Sequence, residues 1–248
     1  MNRKWARIIA ERCVEAADRE DKEGFWNVLN PVLYAKVPFP LLDEMGKLLG
    51  TAGRDDPSKY FVVFDEIIAT DKMGAYVIVG QALAAFFETE LEASIHRAKE
   101  IIAKGQKWYV CDILGERVLG QSLVTHFEAA LSILEPMTSV EDQWVRRSIG
   151  VAVHFFAKRR PEDRERMRRL MALLLLLIED KRVSVVKGVG WGLKTIGNYQ
   201  PKLVEDYLQE IVKTKRISKL MLRKATTYLD EKTKEKLFKF WQHNFQKK

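Results

Sequence analysis

The sequence predicts an all-α chain, a solenoid of stacked helix pairs with a concave basic face, and three observations predict it. Apolar residues recur three and four apart in window after window, the period of an amphipathic helix. No stretch sustains the alternation of a half-buried strand. The helical windows are joined by short polar connections, which favour antiparallel helix pairs in series. With 248 residues, 47% hydrophobic and 31% charged, the chain can bury a large core.

The elements follow in order. Residues 4–19 place Trp5, Ile8, Ile9, Cys13 and Ala16 on one stripe, and 23–35 repeats that character. Pro38-Phe39-Pro40 interrupts, and 41–50 reads as a short helix stopped by Gly50 and Gly53. Asp56-Pro57 opens a helix through Tyr60, Val63, Phe64 and Ile67, with proline in its first turn. Further helices are expected over 73–87, 89–103, 106–118 and 121–134. After Pro136, Thr138 or Ser139 is expected to cap a helix reaching about Lys158. Pro161 then starts the apolar helix 161–179, followed by 183–197, 202–213, 217–228 and 231–245. A helix pair about every 40 residues without a strict period points to a degenerate HEAT-type array, with an irregular helical bundle as the alternative. The whole chain is expected to be one such domain, in three parts: 1–94, 95–228 and a C-terminal 229–248.

Composition excludes several classes. The apolar run from Leu170 to Ile178 is far short of the roughly 20 residues a membrane span needs. The start of the chain is amphipathic and holds no apolar signal core, so a cytoplasmic protein is expected, associated with the nucleoid when bound to DNA. Cys13 and Cys111 cannot form a disulfide framework, and four scattered histidines have no metal-ligand spacing. The net charge of +8 is uneven: residues 1–105 hold 14 Lys+Arg against 17 Asp+Glu, and the remainder 28 against 17. A polyanion-binding surface in the second part would account for that polarity.

The chemistry centres on Lys107-Trp108-Tyr109-Val110-Cys111-Asp112. In a helix, residues four apart share a face, so an indole and a carboxylate project side by side. Buried aspartates need partners, and this pair suits the edge of a cleft that receives something cationic. Gln143-Trp144-Val145-Arg146-Arg147-Ser148 and Val186-Lys187-Gly188-Val189-Gly190-Trp191-Gly192-Leu193 supply Arg147 and Trp191 as further candidates. Gly188, Gly190 and Gly192 each cost up to roughly 1 kcal/mol relative to alanine inside a helix, so close approach of another helix, or of the Trp191 ring, is expected there.

Trp108-x3-Asp112 with Gly115 and Gly120, Trp144-x2-Arg147 thirty-five residues beyond Asp112, and Lys187-x2-Gly190-Trp191 come in an order that resembles the DNA alkylation repair family, the HEAT-like DNA glycosylases of AlkD type. The resemblance covers residues 95–228; residues 1–94 show a compatible helical pattern. It implies a monofunctional glycosylase that releases N3- or N7-alkylated purines from double-stranded DNA without deep base flipping, acting as a monomer with no metal or cofactor. Asp112 would be the catalytic carboxylate, Trp108 and Trp191 would pack on the lesion-bearing deoxyribose, and Arg147 would hold a phosphate. The chemistry is coherent in itself: cleaving an N-glycosidic bond builds positive charge on the sugar, which a carboxylate stabilises and a ring face favours. A cationic base leaves without being protonated, so one acid without a partner histidine suffices.

Phosphate contacts are expected from Lys187 and Lys194, seven apart beside Trp191, and from Lys215, Arg216, Lys219 and Arg223 in the stretch Ile211–Leu229, which also holds Lys213 and Lys224 and no acidic residue. The segment 158–169 interleaves arginine with Glu162, Asp163 and Glu165 and reads as a salt-bridged surface helix. His96, His126 and His154 are read as filling or edging the core, and Phe155-Phe156 as core. Relatives often carry aromatics seven and eight positions before the second tryptophan, where this chain has Ser184 and Val183. Two other functions fit the same helices: a non-catalytic nucleic-acid-binding repeat protein, indifferent to Asp112→Asn, and a protein-interaction scaffold with no salt-dependent DNA binding.

Overall fold

The computed structural model describes residues 1–245, so of the C-terminal part only 246–248 lie outside the described residues. Among the described residues there are helices and no strand, and no helix is long and apolar enough to cross a membrane. Contacts divide the chain into two units, Met1–Val118 and Leu119–Lys248.

The first unit holds α1 (Arg3–Asp18), α2 (Lys22–Tyr34), α3 (Phe39–Ala52), α4 (Pro57–Ala69), α5 (Met73–Ala84), α6 (Phe87–Gly105) and α7 (Trp108–Leu114). α1 packs on α3, α3 on α5 and α5 on α7. The buried residues of α1 are Ala6, Ala10, Cys13, Ala16 and Ala17, while Trp5 and Ile9 are half-buried and Ile8 is 46% exposed. Cys13 and Ala16 of the expected stripe face the core, and its first half is turned toward Ala6 and Ala10, because alanines let α3 approach where isoleucine would hold it off. Gly50 does not stop α3; it lies inside the helix, buried like Gly46. A Cβ at Gly46 would stand 2.2 Å from the Ile78 carbonyl oxygen, and one at Gly50 2.3 Å from that of Ala82. Glycine is needed at both for α3 to meet the backbone of α5. Asp56 accepts from the Lys59 amide at 3.1 Å and caps α4 as expected, with Pro57 in the first turn. The helix expected over 106–118 is α7 followed by a π-helical turn, Gly115–Gly120; such wide turns interrupt helices frequently at functional sites.

The second unit holds α8 (Gln121–Thr125), α9 (Phe127–Leu134), a 3₁₀ turn (Glu135–Ser139), α10 (Gln143–Arg159), α11 (Arg164–Leu175), α12 (Val183–Tyr199), α13 (Pro201–Thr214), α14 (Lys219–Ala225) and α15 (Glu231–Phe245). His126 leaves helical geometry at φ −132°, splitting the single helix expected over 121–134. The cap of α10 is Asp142, which accepts from the Trp144 and Val145 amides at 2.8 and 2.9 Å. Thr138 and Ser139 belong instead to the 3₁₀ turn, where the Thr138 hydroxyl donates to the Glu135 carbonyl at 2.7 Å. Likewise Asp163, accepting from the Arg166 amide at 3.1 Å, starts α11 in place of Pro161.

α12 packs between α10 and α14, and α13 packs on α15. Neighbours two apart in the chain are what stacked helix pairs produce. The α10–α12 contact is backbone on backbone: a Cβ at Gly150 would lie 2.2 Å from the Gly188 carbonyl, one at Gly188 2.5 Å from the Arg147 carbonyl oxygen, and one at Gly192 2.9 Å from that of Gly150. The glycines around Trp191 thus serve close helix approach.

Candidate functional site

In the first unit, α7 carries Trp108 and Asp112. Val110, Cys111, Ile113 and Leu114 turn into the core, which leaves Trp108 and Asp112 on the opposite face. Trp108 is 61% exposed and Asp112 is half-buried. The indole is braced edge-on by Tyr109 at 5.9 Å, and Tyr109 by Tyr76 at 6.1 Å. Asp71, in the left-handed region at φ 51°, accepts from the Tyr76 hydroxyl at 2.7 Å and pairs with Lys107, the residue preceding α7. Those two hydrogen bonds, Lys107 first, hold the Asp71 carboxyl below the ordinary carboxylate value. A loop aspartate so constrained fixes where α7 begins, and with it where Trp108 points.

In the second unit, α10, α12 and α14 gather a ring and several cations. Arg147 is no surface charge: it is 8% exposed, and its guanidinium donates to the Ser184 carbonyl at 3.3 Å. Trp144, before it, is half-buried. The Ser184 hydroxyl donates to the Gln143 side-chain oxygen at 2.5 Å, while Val183 is exposed. Trp191 is half-buried and stacks on His154, with ring centroids 4.0 Å apart and planes 25° from parallel. The Thr195 hydroxyl donates to the Trp191 carbonyl at 3.0 Å, so its oxygen receives the Nδ1–H of His154 at 2.7 Å. Burial, and then the charge of Lys158, push the imidazole down to about 4, so it stands neutral beside the indole. His154 is therefore a ring partner of Trp191. His96 is exposed beside Glu92, and His126 marks the break between α8 and α9. Phe156 is buried as expected, whereas Phe155 is half-buried under the Arg159 guanidinium.

Lys187 is exposed one turn before Trp191, and the Lys194 ammonium lies 5.5 Å from the centre of the Tyr228 ring. Lys224 of α14 packs its stem on Gly190, where a Cβ would meet Lys224 Cδ at 2.8 Å. Burial, followed by the charges of Lys194, Lys187, Arg147 and Arg223, pushes its amine below the ordinary lysine value. Lys187, Lys194 and Lys224 form no ion pair among the described residues. Several arginines of this unit are answered: Arg169 by Glu128 at 2.6 Å, Arg166 by Asp163 at 3.4 Å, Arg168 by Glu165 at 3.2 Å, and Arg146 by Asp180 at 3.0 Å. The 158–169 segment is salt-bridged at Arg166, Arg168 and Arg169 as its sequence predicts, while Arg159, Arg160 and Arg164 form no ion pair among the described residues.

The basic stretch Ile211–Leu229 separates in space. Lys213 meets Glu210 at 3.2 Å and Lys215 meets Glu179 at 3.5 Å; Glu179 also accepts the Arg216 amide at 2.8 Å. Lys219 and Arg223 stand exposed on α14. Sequence reasoning missed His154 and Lys224 as neighbours of Trp191. Their signal lay in helical register, since His154 is seven residues beyond Arg147 on α10, and Lys224 is the last lysine of the basic run.

A family model described as DNA alkylation repair enzyme matches residues 37–229, a span that begins in the first unit and holds every candidate above. No curated protein matches the chain.

Proposed function

The chain belongs to the DNA alkylation repair enzyme family, and from that premise we propose that it is an AlkD-type DNA glycosylase hydrolysing the N-glycosidic bond of N3- or N7-alkylated purines in duplex DNA. The observation that carries the reading is an aspartate on the same helix face as an indole that is 61% exposed, both kept off the core side of α7. A carboxylate so placed can stabilise the positive charge that develops on the deoxyribose and orient the attacking water. The alkylated base is already cationic and leaves unaided, so water displaces it and excision is monofunctional. No cofactor enters.

Trp191, backed by neutral His154, offers a second ring to the sugar, where a developing cation is favoured. Arg147, anchored on the Ser184 carbonyl, holds a phosphate near the lesion. Lys187, Lys194, Arg216, Lys219 and Arg223, with Lys215 after release from Glu179, meet the backbone on either side. Helices two apart that pack as neighbours support a HEAT-type array within each unit, and a single repeat domain over the chain is part of the same proposal. Such an array grips DNA by backbone and sugar and does not need a deep pocket for an extruded base. The monomeric, cytoplasmic and nucleoid-associated assignments belong to the same proposal.

The test is release of 7-methylguanine and 3-methyladenine from methylated duplex by the wild type and by Asp112→Asn, with duplex affinity measured at two salt concentrations. The expected outcome is release by the wild type, none by the variant, and equal salt-dependent affinity for both. Equal release by both would refute the role of Asp112. No release with salt-dependent binding would leave a nucleic-acid-binding protein, and no binding a scaffold.

A further inference from the structure

α14 meets α12 at Gly190, and the absent side chain lets the Lys224 stem lie across the α12 backbone next to Trp191: a Cβ there would stand 2.8 Å from Cδ and 2.9 Å from Cβ of the lysine. The stem is thereby directed toward the face of Lys187, Trp191 and Lys194. Arg147 adds a fourth cation from α10, and none of the three lysines is matched by a carboxylate in an ion pair among the described residues. Lys187 is exposed and Lys194 and Lys224 are half-buried, but of the three only Lys224 has its stem packed on the Gly190 backbone. A partly desolvated lysine among other cations is moved toward its neutral, nucleophilic form, the direction found for this amine. Arg147, Lys187 and Lys194 remain to meet phosphates. Lys224 is the least suited of the four to a purely ionic role and the best suited to react.

From this geometry we propose that Lys224 captures the abasic product of excision as a reversible imine at C1′ of the ring-opened deoxyribose. The inference rests on the glycosylase reading for the origin of that product. The neutral amine attacks the C1′ aldehyde carbon, an N–C1′ bond forms, and the carbonyl oxygen takes up a proton to give the carbinolamine. Loss of one water, made from that hydroxyl and the remaining amine proton, leaves the C=N bond. No oxidant or reductant is involved. Uptake of one water returns the aldehyde and the amine, with the DNA strand uncut. The protein would thus hold the abasic site covalently until hydrolysis of the imine releases it.

The test uses the full chain and a duplex with a single abasic site prepared beforehand by enzymatic removal of uracil. Borohydride is added and the products are resolved under denaturing conditions. The wild type is expected to give a covalent protein–DNA adduct, Lys224→Arg to lose it, and Lys213→Arg, at the lysine tied to Glu210, to retain it. Arginine keeps the charge but cannot form an imine, so duplex affinity should be unchanged in Lys224→Arg. Peptide mapping of the wild-type adduct must place the modification on Lys224, whatever the stability of the variants. No adduct with wild type, adduct mapped elsewhere, or undiminished adduct in Lys224→Arg would overturn the proposal. Because the abasic site is prefabricated, adduct without base release would sink the glycosylase reading alone, and base release without adduct the capture alone.

Discussion

Two alanine substitutions on the α10–α12–α14 face, Gly150→Ala and Gly190→Ala, should behave in opposite ways. Each removes a helix-interior glycine and so gains roughly 1 kcal/mol of helix propensity. The Cβ added at Gly150 would meet only backbone: Gly188 C and O at 2.2 Å and the Val189 nitrogen at 2.4 Å. Ordinary carbon contacts lie near 3.5–4.0 Å, so α10 and α12 would have to part by more than about 1 Å along their line of contact. Overpacking of that kind costs about 1–3 kcal/mol or more. Here the neighbour cannot rotate away, so the upper end applies and a net loss of about 2 kcal/mol remains. For a chain of this size that lowers the melting temperature by roughly 4–8 °C.

The Cβ added at Gly190 meets only the side chain of Lys224, at 2.8 Å and 2.9 Å. The Lys224 Cδ can swing off α12, but its Cβ is fixed to the α14 backbone, so α14 must give by a few tenths of an ångström and stability should stay within about 1 kcal/mol of wild type. The displaced amine leaves the cluster, so borohydride trapping on an abasic duplex should fall while the slope of log affinity against log salt stays near the wild-type value. Thermal unfolding and trapping read both effects. A Gly190→Ala protein as destabilised as Gly150→Ala, or one that traps as the wild type does, would refute the placement of Lys224.

The neutral His154 makes stability depend on pH in an unusual direction. An unfolded chain binds that proton below about pH 6.5, whereas the folded site refuses it until about pH 4. Folding stability therefore falls as pH is lowered through that window, and His154→Gln should flatten this part of a urea-unfolding series between pH 7 and pH 4; an unchanged series would count against the buried, neutral imidazole. Glu179→Gln frees the Lys215 side chain and weakens the acceptor of the Arg216 amide. Duplex affinity at low salt should rise roughly two- to fivefold, a gain that fades as salt screens it, and unaltered affinity would remove Lys215 from the backbone contacts.

Trp108 and Asp112 were legible because a spacing of four is a statement about one helix, and the local pattern of Val110, Cys111, Ile113 and Leu114 says which side is core. The glycines flanking Trp191 were legible as a close approach because helix-interior glycine needs a reason. His154 was not, since its partner lies thirty-seven residues away on another helix and a half-buried histidine has the same periodicity as a core one. The neutralisation of Lys215 was hidden for a related reason: its carboxylate comes from the α11–α12 connection. Caps failed where acceptors competed, because Thr138, Ser139 and Asp142 are all good N-caps, and a 3₁₀ turn decides between them.

The stretch 37–94 shows a different limit. No site residue predicted from sequence falls there, yet the family match begins at 37, well before residue 95, where the sequence resemblance begins. Its distinguishing feature is steric: Gly46 and Gly50 let α3 touch the backbone of α5, and α5 in turn packs on α7. Read one residue at a time, Gly50 is a helix stop. Set against Ile78 and Ala82, the two glycines govern the depth at which α5 sits in its unit, and so the support beneath the helix that carries Trp108 and Asp112. Gly46→Ala and Gly50→Ala are thus tests of the site as much as of the fold, since the backbone oxygens they would strike belong to the helix on which α7 rests.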